Sequence, residues 1–290
     1  MFNKSFLKKN LTYFLKIYKN RPIKNNQSGM KIDHCFALFC LLKKIKPSHI
    51  IESGVWKGQT TWLIKKVLKN SKIYSIDIDL SNREVIYDDV NYLNKDITKY
   101  NWKKLDKNKT LIIFDDHVCF SKRLNFIKKN KFKHIIFDDN LPNNHIGYYT
   151  PKMIVENQYL VKKEFIKYSN FFRLIKFIIR ILKKDFEHST KINFFNRYIK
   201  ITYPIKNNKN LKKNFDSFKK KIQIYYEFPP ITKFNYKKRF IKILNNFNEL
   251  VPKNYKVKRP IFSNSETHLP KELKNELNVQ YSNICYIKLN

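Results

Sequence analysis

Glycine is scarce in this chain: 4 in 290 residues, at Gly29, Gly54, Gly58 and Gly147. Acid is scarce as well, with 23 Asp+Glu against 60 Lys+Arg and a formal net charge of +37. Only eight of the basic residues are arginine. No apolar run approaches the ~20 residues of a membrane-spanning helix. The opening stretch MFNKSFLKKNLTYFLKIYKN has neither the apolar core nor the small-residue cleavage site of a secretory signal. None of the four cysteines, Cys35, Cys40, Cys119 and Cys285, makes a Cys-x-x-Cys pair. Together these absences predict a cytoplasmic protein with reduced core thiols and no structural zinc.

What is present argues for a folded α/β protein. Hydrophobic residues at 42% and aromatics at 16% exclude a disordered chain despite the charge. Lysine, asparagine (34 of them), isoleucine, phenylalanine and tyrosine are all residues of A/T-rich codons. The charge therefore reads as lysine spread over solvated surface. A phosphate-binding surface would favour arginine, whose planar fork binds phosphate in a bidentate way.

From about residue 46 to 140, short apolar runs alternate with amphipathic segments, the pattern of βαβ units and a parallel sheet. Strands are predicted at 48–53, 72–77, 90–93, 110–115 and 134–138. Helices are predicted at 36–45, 59–69, 81–88 and 121–130. The expected organisation is a basic N-terminal segment (1–30), a Rossmann-like core (31–150), a basic helical insertion (151–220) and a C-terminal part that completes the sheet and the acceptor side (221–290). Within the last two, a long helix over 158–184, a connection at 206–214, a strand at 222–228, a helix near 238–250 and a final strand at 283–289 are expected.

Two of the four glycines, Gly54 and Gly58, follow the first strand in Ile51-Glu52-Ser53-Gly54-Val55-Trp56-Lys57-Gly58-Gln59. A strand entering such a turn and then a helix brings backbone close to a ligand. Counting Gly-x-Gly-x-x-Gly from Gly54 puts Trp56 and Gln59 at the second and third positions, which disfavours a pyrophosphate. The P-loop spacing is absent. A cofactor without a pyrophosphate stays open, and S-adenosylmethionine fits. At the end of the second strand Asp77, with Asp79 as alternate, is placed to accept from ribose hydroxyls. Asp96 follows the third strand and is a candidate to face adenine or to act as a helix cap.

The run Ile50–Gly58 resembles the first motif of class I S-adenosylmethionine-dependent methyltransferases, and is most similar to the macrocin O-methyltransferase and cephalosporin-hydroxylase-like branch. The resemblance covers roughly residues 30–142. It implies a Rossmann-like methyltransferase sheet with helices on both faces. It also implies a cofactor site that includes Glu52, Gly54, Trp56, Gly58, Asp77 and Asp96.

The fourth and fifth strands end in Phe114-Asp115-Asp116-His117 and Phe137-Asp138-Asp139-Asn140. On adjacent parallel strands the two acidic pairs reach the same carboxyl edge, where their charges repel unless a cation or protons compensate. Such oxygen-rich groups suit Mg²⁺ or another hard divalent ion. The resemblance implies that Asp116, Asp138 and Asp139 are the metal ligands, and that His117 lies near a general base, with Asp116 beside it in catalysis. His34 is a candidate for the cofactor or acceptor side.

In the stretch 171–184 the basic residues fall at 173, 176, 180 and 183–184, opposite Phe and Ile, and 6–18 has a similar character. Either could lie on an anionic membrane surface. The expected reaction is O-methylation of a sugar, a glycan or a related small molecule. The rivals are a nucleic-acid (RNA) methyltransferase or RNA-binding protein, and a non-catalytic membrane-associated scaffold.

Overall fold

A computed structural model describes residues 1–140, 149–157, 161–167, 169–182, 191–195, 198–204, 209–229, 231, 261 and 284–290. Five short parallel strands form its centre: β1 (His49–Ser53), β2 (Lys72–Ile76), β3 (Val90–Leu93), β4 (Thr110–Phe114) and β5 (His134–Phe137). Each lies within one or two residues of its predicted position. β4 (TLIIF) and β5 (HIIF) are apolar on both faces, as buried parallel strands require. Ile50, Leu111, Ile113 and Ile136 point into one core, while Ile51, Ile112, Phe114 and Ile135 point into the other.

Two further strands, β9 (Ile222–Glu227) and β10 (Cys285–Leu289), extend the sheet to the order β3-β2-β1-β4-β5-β10-β9. β10 runs antiparallel to both of its neighbours. The order reverses between β1 and β4, whose pairing register runs from His49 opposite Thr110 to Ser53 opposite Phe114. A crevice at the carboxyl ends of the strands opens at such a switch point.

Helices cover both faces. On one side α1 (Lys4–Lys19), α2 (Ile32–Ile45) and α3 (Gln59–Val67) bury Leu7, Phe14, Phe36, Phe39 and Leu63. On the other, α4 (Phe120–Asn130) and α7 (Lys209–Lys221) bury Phe120, Leu124, Phe215 and Phe218. A short α5 (Pro151–Val155) starts at Thr150, whose hydroxyl accepts the Met153 amide, with proline in its first turn. The apolar stripe of α1 (Leu7, Leu11, Phe14, Tyr18) is thus consumed by the core. The N-terminal amphipathic stretch offers no free apolar face to a membrane.

Three expectations are corrected. Residues 81–88 form turns, because the amides of Glu84 and Val85 donate to the Lys57 carbonyl and Asp79 accepts from the Ser81 amide and hydroxyl. Those bonds compete with a helical ladder. In place of one helix over 158–184, the chain forms β6 (Val161–Lys167) and then α6 (Phe171–Leu182). β6 joins β8 (Tyr198–Pro204) and β7 (Lys191–Phe195) in a separate antiparallel sheet of order β6-β8-β7, so 151–220 is not simply helical. Finally, the expected connection at 206–214 gives way to α7 from Lys209. The helix expected near 238–250 lies outside the described residues.

Candidate active site

A cleft of about 340 Å³ lies at the switch point, within the range of small-molecule sites. Its wall is built from the ends of four adjacent strands: Ser53, Gly54 and Trp56 after β1, Asp77 and Ile78 after β2, Lys95 and Asp96 after β3, and Asp115, Asp116 and His117 after β4. Ser28 and Gly29, from the segment between α1 and α2, contribute the rim.

The turn after β1 is held from within. Asp77 Oδ2 accepts the amides of Val55 (2.9 Å) and Trp56 (3.1 Å). Gly54 has φ +101°, and a Cβ there would lie 2.1 Å from the Asp115 carbonyl oxygen, so only glycine lets β1 and β4 approach at this point. Trp56 adopts φ +49° and donates its indole N–H to the Gln27 carbonyl (3.0 Å). Gly58, at φ +91°, caps α3 with its backbone close to the Val85 carbonyl. It shapes the turn and is absent from the cleft wall.

Glu52 lies away from the cleft. It is fully buried, and its Oε2 accepts from Thr61 Oγ1 (2.6 Å) and Ser75 Oγ (2.5 Å), while Oε1 has no hydrogen-bond partner among the described residues. Burial pushes its pKa from 4.5 to about 7, against the pull of the two hydroxyls. Between these values the folded state holds a proton that the unfolded chain has lost, so stability falls as pH rises from about 4.5 to about 7. Asp33, buried and also raised to about 7, adds a slope of the same sign. Glu52→Gln is therefore expected to flatten part of this slope, with a gain on the order of 2–3 kcal/mol at pH 8 relative to pH 4.5. Urea denaturation at a series of pH values measures it, and an unchanged slope refutes it.

Arg123 on α4, only 3% exposed, organises the opposite wall. Its guanidinium donates to Asp96 Oδ1 (3.2 Å) and Oδ2 (2.9 Å), and lies 2.7 Å from Asp116 Oδ2. Asp96 also caps the 3₁₀ turn at Ile97–Lys99 through the Thr98 amide. Burial opposes ionisation of Asp96, but the Arg123 and Thr98 hydrogen bonds prevail and hold its pKa at about 2. Asp116 further accepts from Ser53 Oγ (2.5 Å) and the Val118 amide (3.1 Å). Burial raises its pKa, with Arg123 offsetting part of the rise. Sequence reasoning gave Arg123 no role. The available signal was its scarcity, as an arginine on an apolar helix face in a lysine-rich chain.

Asp138 and Asp139 pair with histidines. His34 Nδ1 lies 2.6 Å from Asp138 Oδ1, both side chains 7% exposed. Asp138 would be pushed up by burial, but His34 outweighs this and keeps it ionised. Asp115, half-buried beside Asp138, Asp139 and Asp116, is driven well above the ordinary carboxylate range by desolvation and by those neighbouring charges. His117 Nδ1 lies 2.6 Å from Asp139 Oδ2, and that bond raises the imidazole pKa. Both members have positive φ, +53° and +51°, which is uncommon outside glycine.

The expected Mg²⁺ ligands are thus brought to one edge but engaged separately: Asp116 by Arg123, Asp138 by His34 and Asp139 by His117. Among the described residues, no three carboxylate, imidazole or thiol groups converge as metal ligands. As arranged, this set does not fit a divalent ion.

The reversed strand order, the antiparallel β10 and the cleft at the switch point decide the fold. It is a Rossmann-like open α/β sheet. No protein-family model and no curated protein matches the sequence. Among solved structures the chain is similar to CmcI with SAH, at 18% identity over 38% of this chain and 62% of that one, with a TM-score of 0.33. It is similar also to CmcI with Mg-SAM (13% identity, 63% and 79% covered, TM-score 0.34). A third is the O-methyltransferase from Bacillus cereus in complex with SAH (11%, 71% and 93%, TM-score 0.33). The chain spans 62% of the length of the first of these. At such identities and TM-scores the fold and the roles of residues rest on the geometry of this chain.

Proposed function

We propose that the protein transfers a methyl group from S-adenosylmethionine to a hydroxyl of a small acceptor, such as a sugar, a glycan unit or a related metabolite. The observation that carries this reading is the charge of the cleft. In a protein of net charge +37, the carboxylates of Asp77, Asp96 and Asp116 line one small concavity beside Asp115, which its acidic neighbours push well above the ordinary carboxylate range, with Lys95 and Arg123 as cations on the same wall. A wall whose carboxylates outnumber its cations favours a cationic ligand over a polyphosphate. S-adenosylmethionine is cationic, and when bound it supplies an electrophilic methyl on its sulfonium sulfur.

The residues fit this cofactor in kind. Gly54 lies on the cleft wall, and Asp77 beside it offers a carboxylate that can accept from ribose hydroxyls. Ile78, 80% exposed, and Trp56, 41% exposed, offer apolar surface for a purine ring on the same wall. His117 is the base of this reading. With its Nδ1–H donated to Asp139, Nε2 keeps the lone pair and takes the proton of the acceptor hydroxyl. Asp139 orients the ring and stabilises the imidazolium that forms. Because the acidic groups are already paired, no metal enters this scheme.

Calorimetric titration with S-adenosylhomocysteine tests the proposal. Wild-type protein is expected to bind. Asp77→Ala, which removes the acceptor of two turn amides as well as the ribose partner, is expected to weaken binding roughly 10- to 100-fold, the scale of one or two charge-assisted hydrogen bonds. Wild-type protein that does not bind S-adenosylhomocysteine would point to the non-catalytic scaffold. Incorporation of labelled methyl into RNA would point to the nucleic-acid enzyme.

A further inference from the structure

α6 divides into three sectors. At about 100° per residue, Leu174 and Phe177 fall on one side. Phe177 is 3% exposed and forms a small apolar cluster with Ile199 of β8, against which Leu174 and Ile192 pack. A second sector carries Arg173 and Lys176. The third carries Phe171 (67% exposed), Phe172 (80%), Ile175 (37%), Ile178 (46%) and Ile179 (43%). The helix already has a packing side, yet a second apolar side of five large residues stands in water.

This differs from α1, whose single apolar stripe is buried in the core. Isolated exposed apolar residues are ordinary, but a contiguous row flanked by basic residues marks an interaction surface. We propose that this face of α6 docks on an anionic lipid bilayer, lying in the interface with Phe172, Ile175 and Ile179 inserted and Arg173 and Lys176 at the headgroups. Charge complementarity selects this occupant: Lys176 and Arg173 border one edge of the row on a chain of net charge +37, and the described part of α6 contains no acid. The mode is peripheral. Twelve residues of helix span about 18 Å, short of the roughly 30 Å hydrocarbon core, and no helix among the described residues is long and apolar enough to cross a membrane. The inference is independent of the chemistry proposed for the cleft.

Flotation of the full chain tests it, with vesicles of equal phosphatidylglycerol and phosphatidylcholine against vesicles of phosphatidylcholine alone, at physiological salt. Wild-type protein is expected to float with the anionic vesicles only. The Phe172→Ser/Ile175→Ser/Ile179→Ser variant is expected to lose tenfold or more in partitioning, and so is Arg173→Glu/Lys176→Glu. In an Ile175→Trp variant, brominated-chain lipid is expected to quench emission beyond that of wild type. The proposal is overturned if the serine variant floats as well as wild type, since binding would then be charge alone. Equal flotation with neutral vesicles, or no extra quenching in Ile175→Trp, also overturns it. So does a wild-type dimer that the serine variant converts to monomer while neither floats, because a second copy would then cover the row.

Discussion

Arg123→Met is expected to lower the melting temperature by roughly 6–12 °C, taking about 3 kcal/mol as the lower end for breaking a buried ion pair and 2–4 °C per kcal/mol for a domain of this size. The loss arises because the guanidinium sits between two carboxylates, bidentate on Asp96 and 2.7 Å from Asp116. Methionine fills the volume of the stem but leaves Asp116, already raised by burial, with Ser53 and the Val118 amide as its remaining donors. Asp96 is one-third exposed and water compensates it in part, so the estimate stays at the low end. Arg123→Lys is expected to recover little, since one ammonium cannot hold both carboxylates in fork geometry. Adding Asp116→Asn to Arg123→Met should restore part of the stability. Calorimetry of the three variants checks the argument, and a melting temperature within a degree or two of wild type for Arg123→Met refutes it.

His117→Ala is expected to reduce turnover by about 10²- to 10⁴-fold, the usual worth of a positioned general base, while leaving affinity for S-adenosylhomocysteine intact. Because its bond to Asp139 raises the imidazole pKa, the rate is expected to rise with pH through that raised value, as the ring becomes neutral. Asp139→Asn removes the carboxylate that favours the charged ring. The His117 pKa then moves down, and the rising limb of the rate profile moves to lower pH with it. NMR titration of the imidazole reads the first shift, and labelled-methyl transfer to a panel of sugar and phenol acceptors reads the second. With Asp116, Asp138 and Asp139 each engaged elsewhere, EDTA is expected to leave the rate unchanged. Activity lost in EDTA and restored by Mg²⁺ would show that the carboxylates rearrange around an ion, and would remove His117 from the role of principal activator.

The parts of this fold that were legible in the sequence are those governed by local pattern. Strands such as Thr110–Phe114 are apolar throughout and bounded by polar turns, so period and length find them. Gly54 was legible because a chain with four glycines places one where β1 meets the Asp115 carbonyl. The stretch 81–88 misled because its spacing suits a helix, while the winning hydrogen bonds go to Lys57, more than twenty residues away. β6 misled in the same way: its pairing with β8 spans about forty residues, beyond the reach of periodicity.

The site divides along the same line. Sequence by itself determined which residues reach the carboxyl edge, because parallel strands ending in Asp77, Asp115-Asp116 and Asp138-Asp139 deliver those side chains together. Only the tertiary structure decided what neutralises them. Arg123 comes from α4, His34 from α2 and His117 from the turn after β4, and an electrostatic partner is set by distance in space, which helix packing fixes and residue spacing does not. The same holds for the net charge of +37: composition supplied it, but packing left one acidic cleft at the switch point and one bare apolar row, edged with cations, on α6.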